Sequence, residues 1–307
     1  MQGRVIQSTG SWYEVLLDSG AVISCRLKGK FRLDKKKLTN PVAVGDLVMI
    51  DADTDGTSVI NEILPRSNYL VREAPQKKEH THIIASNIDQ VVVVATVAKP
   101  RTSHGFIDRV LFMAEVYGIP AYVVFNKYDL YTDKEKELMM EWGGGFILAG
   151  YPCFHTSAIT GENKGKLKDL LQDKITLLTG HSGVGKSTLI NALEPGLDLR
   201  VGALSSYHDK GQHTTTFARM FPLTFGGFIV DTPGIKEFGM VNVEPEEAGH
   251  YFPEIRERME HCKFSDCVHY NEQGCAVKDA VEAGEIDPDR YITYLAIYDE
   301  IKSKKAW

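Results

Sequence analysis

The sequence predicts an α/β protein: a central, mostly parallel sheet with helices on both faces, preceded by an all-β barrel of the OB type and followed by a small helical metal-binding module. Three observations predict it. Between residues 87 and 230, apolar runs of strand length alternate with stretches of helical spacing, the pattern of a parallel sheet wrapped by crossover helices. Residues 1–66 instead hold short alternating runs cut by turn residues, with no helical stretch. Beyond about residue 241, acidic helical segments surround four Cys and His residues crowded into fourteen positions. The domain boundaries follow these changes: 1–66 for the barrel, 67–240 for the α/β domain, 241–307 for the module.

The barrel strands are read at 3–7, 12–17, 21–27 and 46–50, with turn chemistry at 8–10, 18–20, 40–41, 45–46 and 55–56. Residues 72–82 are polar and without period, and read as a linker. In the α/β domain, strands are expected at 87–96, 121–125, 174–179 and 226–230, and helices at 107–117, 134–141, 164–172 and from 187. A helical stretch over 244–260 and a closing helix over 289–305 complete the chain.

Composition bounds the function classes. Of 307 residues, 43% are hydrophobic and 25% charged, values of a soluble globular protein. No apolar run reaches membrane-spanning length, 90–98 being too short, and residues 1–7 lack the apolar core of a secretory signal. Five cysteines imply no disulfide framework in a chain this long, which points to the cytosol; Cys25 and Cys153 read as buried strand thiols. The net charge of −6 does not itself point to nucleic acid, but residues 1–40 carry eight Lys and Arg against three acids. Residues 26–37 interleave those cations with Phe31, a composition suited to tracking an RNA phosphate backbone and equally to a plain solvated loop.

The chemistry concentrates at Gly180-His181-Ser182-Gly183-Val184-Gly185-Lys186-Ser187-Thr188, a phosphate loop of the form G-x-x-x-x-G-K-S between an apolar strand and a helix. Glycines let backbone N–H groups turn inward around phosphate oxygens, and the following helix aims its positive end at the same anion. Lys186 is expected to reach the β- and γ-phosphates, and Ser187 to ligate Mg²⁺. Asn126-Lys127-Tyr128-Asp129 matches the N-K-x-D reader of guanine. A carboxylate at Asp129 can accept from guanine N1–H and the exocyclic amine together; Lys127 packs its stem along the base and Asn126 braces the phosphate loop. Thr156-Ser157-Ala158 resembles the short loop whose N–H groups touch guanine O6, with Ser157 and Ala158 the expected contacts. Asp231-Thr232-Pro233-Gly234 follows a strand; Asp231 is expected to hold Mg²⁺ through water and the Gly234 N–H to sense the γ-phosphate.

The order of these pieces is unusual. Ordinary GTPases begin with the phosphate loop and end with the guanine readers; here the readers come first and the D-x-x-G segment last. One sheet accommodates this if the usual ends are joined through 164–179 and the chain is opened after Gly234, a rearrangement that surface termini tolerate. The permuted order, the N-terminal barrel and the C-terminal Cys/His module resemble the RsgA family of circularly permuted GTPases, as do the segments 39–46 and 211–216. The resemblance covers nearly the whole chain; the stretch Glu141-Trp142-Gly143-Gly144-Gly145-Phe146 reads as an idiosyncratic insert. It implies a cytoplasmic protein that binds GTP and GDP, hydrolyses GTP slowly with stimulation by the small ribosomal subunit, contacts 16S rRNA and assists late subunit maturation. A monomer without a membrane partner is expected.

At the position where many GTPases orient the attacking water with glutamine stands Ile235. His213 is the candidate replacement, with His181 as rival, and Thr215, or Thr214, is expected to ligate Mg²⁺. Cys262, Cys267, His269 and Cys275, spaced C-x4-C-x-H-x5-C, form a donor set for tetrahedral Zn²⁺ in a closed structural site, with His261 as the alternative nitrogen ligand. Two rival readings remain at this level: an ATP-driven enzyme in which N-K-Y-D is accidental, and an rRNA-binding module in which GTP is a ligand and hydrolysis incidental.

Overall fold

The computed structural model describes residues 1–28, 41–52, 58–74, 77–197, 218–231 and 243–305. Phe31 and the basic residues from 29 to 37, His213, Thr214, Thr215, Gly234 and Ile235 lie outside the described residues. The chain forms two compact units: Met1–Val91 with Gly165–Ser182 and Lys186–Val241, and Val92–Lys164 with Gly183–Gly185 and Asn242–Trp307.

In the first unit, β1 (Gln2–Ser8), β2 (Tyr13–Leu17), β3 (Val22–Leu27), β4 (Leu47–Ala52) and β5 (Ser58–Ile63) pair in the order β1-β2-β3-β5-β4, and β4 returns to β1. All pairings are antiparallel except β3 with β5, so the five strands close into the OB-type arrangement. Period-2 alternation puts Val5, Tyr13, Val15, Cys25, Val48, Ile50 and Ile60 inside. The turn before β4 is held by a buried carboxylate: Asp46 accepts from both Arg66 Nε and Nη2 at 2.6 Å, from Ser86 Oγ at 2.5 Å and from the Ala43 N–H at 2.8 Å. Gly45 sits beside it at φ +95°, where any Cβ would lie 2.1 Å from the Ser86 carbonyl oxygen.

The stretch expected to be a linker is instead a hairpin, β6 (Tyr69–Ala74) with β7 (Lys77–Ser86). Its middle is polar, so no period shows in the sequence; the ends carry the apolar side chains, with Leu70, Val71, Ile83 and Ala85 buried. The same unit holds α3 (Lys164–Leu171), of which Lys164 itself belongs to the second unit, β11 (Ile175–Thr179), α4 (Lys186–Leu193), β12 (Arg219–Pro222) and β13 (Phe228–Asp231). β11 and β13 are parallel, and β12 is antiparallel to β13 and to β1.

In the second unit, β8 (Gln90–Ala95, its first two residues counted with the first unit), β9 (Ala121–Phe125) and β10 (Cys153–His155) stand in the order β10-β9-β8, with β10 parallel to β9. β8 is buried at every position, as a strand covered on both faces must be. It starts later than expected because Asn87 turns the chain at φ +55°. Helix α1 (His104–Val116) starts earlier than expected because Ser103 caps it, its hydroxyl accepting from the Phe106 N–H. Helix α2 (Asp133–Leu148) opens on a Thr132–Glu135 capping box and runs through the three glycines where the expected helix had already ended. Cys153, expected to be buried, is half-buried on β10; a Cβ on Gly145 would lie 2.3 Å from Asp287 Oδ2. Gly145 thus admits Asp287 at a propensity cost of about 1 kcal/mol.

Residues 244–260 do not form one helix. Pro253 lacks the N–H that would continue it, and the segment breaks into a 3₁₀ turn (Pro245–Tyr251), α5 (Pro253–Arg256) and a 3₁₀ turn (Met259–His261). Helices α6 (Ala276–Glu282) and α7 (Pro288–Lys305) follow. Arg290 on α7, 1% exposed, donates to Glu254 from Nε at 2.5 Å and Nη2 at 3.1 Å, and from Nη1 to Asp108 on α1 at 2.7 Å. The two carboxylates hold its guanidinium charged despite burial. Arg290→Met therefore strands Glu254 and Asp108 in a dry environment; denaturant unfolding should show a loss of about 3–5 kcal/mol, and an unchanged midpoint would refute the role of this triad.

Candidate nucleotide site and metal centre

The phosphate loop leaves β11 at Thr179 and enters α4 at Lys186. Gly180, Gly183 and Gly185 take φ of +146°, +83° and +94°, the backbone a side chain resists. In the first unit, Lys186 is 6% exposed, and its ammonium donates to the carbonyls of Gly180 at 2.7 Å and His181 at 3.1 Å. Burial lowers its pKa to about 8, opposed by Asp231. Asp231 ends β13, and burial raises its carboxyl to about 6, opposed by Lys186. Ser187 is buried at the start of α4, Thr188 is half-buried beside it, and Ser182 is exposed at the loop tip. A buried ammonium and a half-buried carboxylate that influence each other beside a glycine loop are the elements of a phosphate and divalent-cation site.

In the second unit, Asn126 donates from Nδ2 to the Val184 carbonyl at 2.9 Å, so the brace expected between the guanine reader and the phosphate loop is present. Gly185 makes room for it: a Cβ there would lie 2.5 Å from Asn126 Nδ2. Lys127 adopts the left-handed conformation, φ +63°, and its ammonium donates to the Lys99 carbonyl at 2.8 Å. Tyr128 stacks on His155 with ring centroids 3.9 Å apart. Asp129 is exposed, with Oδ1 accepting from Ser157 Oγ at 2.5 Å. That hydroxyl in turn accepts from the Ile159 and Thr160 N–H groups, and Ala158 lies inside this turn. The second oxygen of Asp129 remains to receive a base edge.

Two supporting residues, Tyr131 and Lys99, escaped the sequence reading. Tyr131 donates its hydroxyl to the Asn126 carbonyl at 2.8 Å and accepts from the Val97 N–H at 3.1 Å, while the Lys99 carbonyl receives Lys127. Thr156 donates to the Glu162 carbonyl at 2.9 Å and closes the Ser157 turn. A tyrosine two residues past the reader was the one signal available.

The Cys/His cluster is assembled. The ligand atoms of Cys262, Cys267, His269 and Cys275 lie within 4.8 Å of one another. His269 presents Nδ1, 3.5 Å from Cys262 Sγ and 3.4 Å from Cys275 Sγ. His261 is exposed and outside the cluster, which decides between the two histidines. Burial, with the neighbouring thiols, pushes Cys267 up to about 12, an effect that a bound divalent cation reverses by stabilising the thiolate. The loop is held from outside: Tyr291 donates its hydroxyl to the His269 carbonyl at 2.7 Å, Tyr294 to the Val268 carbonyl at 2.5 Å, and Glu272 accepts from the Val268, Tyr270 and Asn271 N–H groups.

A glycine-lined phosphate loop, a guanine reader that precedes it in the chain and a strand-terminal aspartate that follows it define a P-loop GTPase with circularly permuted motifs. The comparisons with known proteins carry this one step further. Residues 63–241 match the family model described as RsgA GTPase, and residues 2–60 that of the RsgA N-terminal domain. A Bacteroides fragilis protein called small ribosomal subunit biogenesis GTPase RsgA is 48% identical over 305 residues, covering 99% of this chain and 98% of that protein. A Christiangramia forsetii protein of the same name is 49% identical over 302 residues, covering 97% and 96%. The crystal structure of YjeQ from Thermotoga maritima superposes with a TM-score of 0.80 at 38% identity, covering 98% of each chain. That of YloQ, described as a circularly permuted GTPase, gives 0.75 at 32% identity, covering 99% and 95%. The chain belongs to the RsgA family of GTPases.

The low pKa of Lys186 has a measurable sign. Near pH 7 its ammonium is already charged; as pH rises past about 8 the nucleotide-free site sheds that proton, and arriving phosphates restore it. Calorimetric GDP binding at about pH 8.5, compared between buffers of different ionisation enthalpy, should show proton uptake that fades toward pH 7 and disappears in Lys186→Arg. Uptake that is independent of pH, or that persists in the arginine variant, would contradict the assignment. Asp129→Ala should weaken GDP and GTP by about 10–100-fold, the value of one or two hydrogen bonds to a charged acceptor, with the loss read in a competition assay against labelled GDP.

Proposed function

We propose that this chain is a GTPase of small-subunit biogenesis that binds the 30S particle through its 16S rRNA, assists late maturation, and turns over slowly until the subunit stimulates it. The observation that carries the reading is the Asn126–Val184 bond, which couples a guanine reader to a phosphate loop in a chain otherwise similar from end to end to proteins called small ribosomal subunit biogenesis GTPase. In this reading GTP lies against Asn126, Lys127, Tyr128, Asp129, Ser157 and Ala158 at the base, and against residues 180–188 at the phosphates. Ser187, Thr215 and Asp231 hold Mg²⁺, Gly234 senses the γ-phosphate, and His213 orients the attacking water. Cys262, Cys267, His269 and Cys275 hold one structural Zn²⁺, whose donor set fits their mutual distances.

RNA contact is assigned to the barrel. Arg26 lies over the Trp12 ring at 4.3 Å, and Trp12 is 40% exposed, so a cation and an aromatic face are presented together beside the basic stretch that begins there. No helix among the described residues is long and apolar enough to cross a membrane; a cytoplasmic location and a monomeric state are further parts of the proposal. The three-part organisation, 1–66, 67–240 and 241–307, belongs to the same proposal. Nucleotide state would set the posture of the C-terminal module through the segment after Asp231, gripping rRNA in one state and releasing it in the other.

The deciding measurement is GTP turnover with and without purified small subunits. Stimulation that survives in the wild type and falls in His213→Ala at unchanged GTP affinity supports the scheme. Turnover indifferent to the subunit refutes it, and maturation proceeding normally with a hydrolysis-dead Asp231→Ala favours the rRNA-binding module in which hydrolysis is incidental. Cys267→Ser should lose one equivalent of Zn²⁺ relative to the wild type and melt at lower temperature; an unchanged zinc content would remove the knuckle from the account.

A further inference from the structure

A second group of metal-type donors shares no residue with either site. One nitrogen of His104, on the first turn of α1, and one carboxylate oxygen each from Asp287 and Asp289, at the start of α7, lie within 4.8 Å of one another. Which nitrogen it is follows from the surrounding bonds. Asp108 is fully buried, and its Oδ1 accepts from Arg290 Nη1 at 2.7 Å. Its Oδ2 faces His104 Nδ1 at 2.9 Å, which makes Nδ1 the donor and leaves the Nε2 lone pair outward. His104 is 8% exposed, and Nε2 is a buried nitrogen with no hydrogen-bond partner. The ring cannot swing away: it stacks on Phe146 at 4.8 Å and meets the edge of Trp142 at 5.3 Å. A carboxylate that orients one imidazole nitrogen so that the other is presented bare is the arrangement that supports metal-binding histidines.

The acids are placed to match. Asp287 Oδ1 accepts from the Asp289 N–H at 2.8 Å and the Arg290 N–H at 3.3 Å, which fixes that carboxylate. Its Oδ2 reaches the backbone of α2 at Gly145, where no other residue would admit it. Asp289 is exposed and completes the set from the solvent side.

We infer that His104 Nε2, Asp287 and Asp289 form a second divalent-cation site, distinct from the Cys/His knuckle and from the nucleotide pocket, that ties the start of α1 to the start of α7. One imidazole with two carboxylates is a borderline-to-hard donor set, suited to Zn²⁺ or Mn²⁺ with water filling the remaining positions, and poor for a cation that demands oxygen alone.

The test is a zinc count by elemental analysis of the full-length protein equilibrated in a metal buffer that holds free Zn²⁺ in the nanomolar range. The wild type should carry two equivalents, Asp289→Asn and His104→Ala one each, and Cys267→Ser one. The double variant Cys267→Ser/Asp289→Asn should carry none. Asp289 is exposed, so its replacement keeps the fold and reads the site even if His104→Ala unfolds. A wild type with a single equivalent that Cys267→Ser abolishes overturns the proposal while sparing the knuckle. Two equivalents that persist in both Asp289→Asn and His104→Ala overturn it as well.

Discussion

The hydrogen bond from the Asn126 side-chain amide to the Val184 carbonyl is the constraint on which the nucleotide site depends. It joins a base-reading loop to a phosphate-binding loop 58 residues away in the chain, and both partners are buried. It exists only because Gly185 has no side chain to exclude the amide, and because positive φ at Gly183 and Gly185 turns the intervening carbonyl toward it. The neighbours serve it in turn: Tyr131 holds the Asn126 carbonyl, and Lys127 anchors to Lys99.

A comparable economy governs the C-terminal region, where one helix does several jobs. Successive turns of α7 present Arg290 to Asp108 and Glu254, Tyr291 to the His269 carbonyl and Tyr294 to the Val268 carbonyl. The buried ion triad and the cysteine loop are thus braced by the same few residues. Asp108 stands at the junction, neutralised by Arg290 on one oxygen and orienting His104 with the other. These directional contacts add to the apolar burial of Phe252, Ile255, Val277, Ile286 and Ile297 in the same region.

What could be read from the sequence divides along physical lines. The phosphate loop, the guanine reader and the cysteine cluster were legible because their chemistry demands particular residue types at short fixed spacings, and the structure brings each group together. The buried strands β8, β9 and β11 were legible because a strand covered on both faces must be apolar throughout. Elements defined by distant partners were not. The β6–β7 hairpin has a polar middle and was mistaken for a linker; α2 continues through Gly143–Gly145, and Gly145 there leaves room for Asp287, which no local propensity reveals. Between 244 and 260 the helical composition was read correctly but the breaking power of Pro253 was underweighted. Arg290 offered no signal at all: a lone arginine in a surface-type helix looks solvated until Glu254 and Asp108 are found facing it.

The motif order also sets a sequence of events during synthesis. Asn126 emerges from the ribosome 58 residues ahead of the carbonyl it will hold, an interval of roughly 3–12 s at ordinary elongation rates. In GTPases of the usual order a nascent phosphate loop is available to nucleotide from the beginning; here no cradle exists while the base pocket is being translated. Guanylates consequently cannot template the early stages, and the barrel must reach its shape on its own strand pairing, apolar burial and Asp46 network, with the ligand arriving as a late clasp.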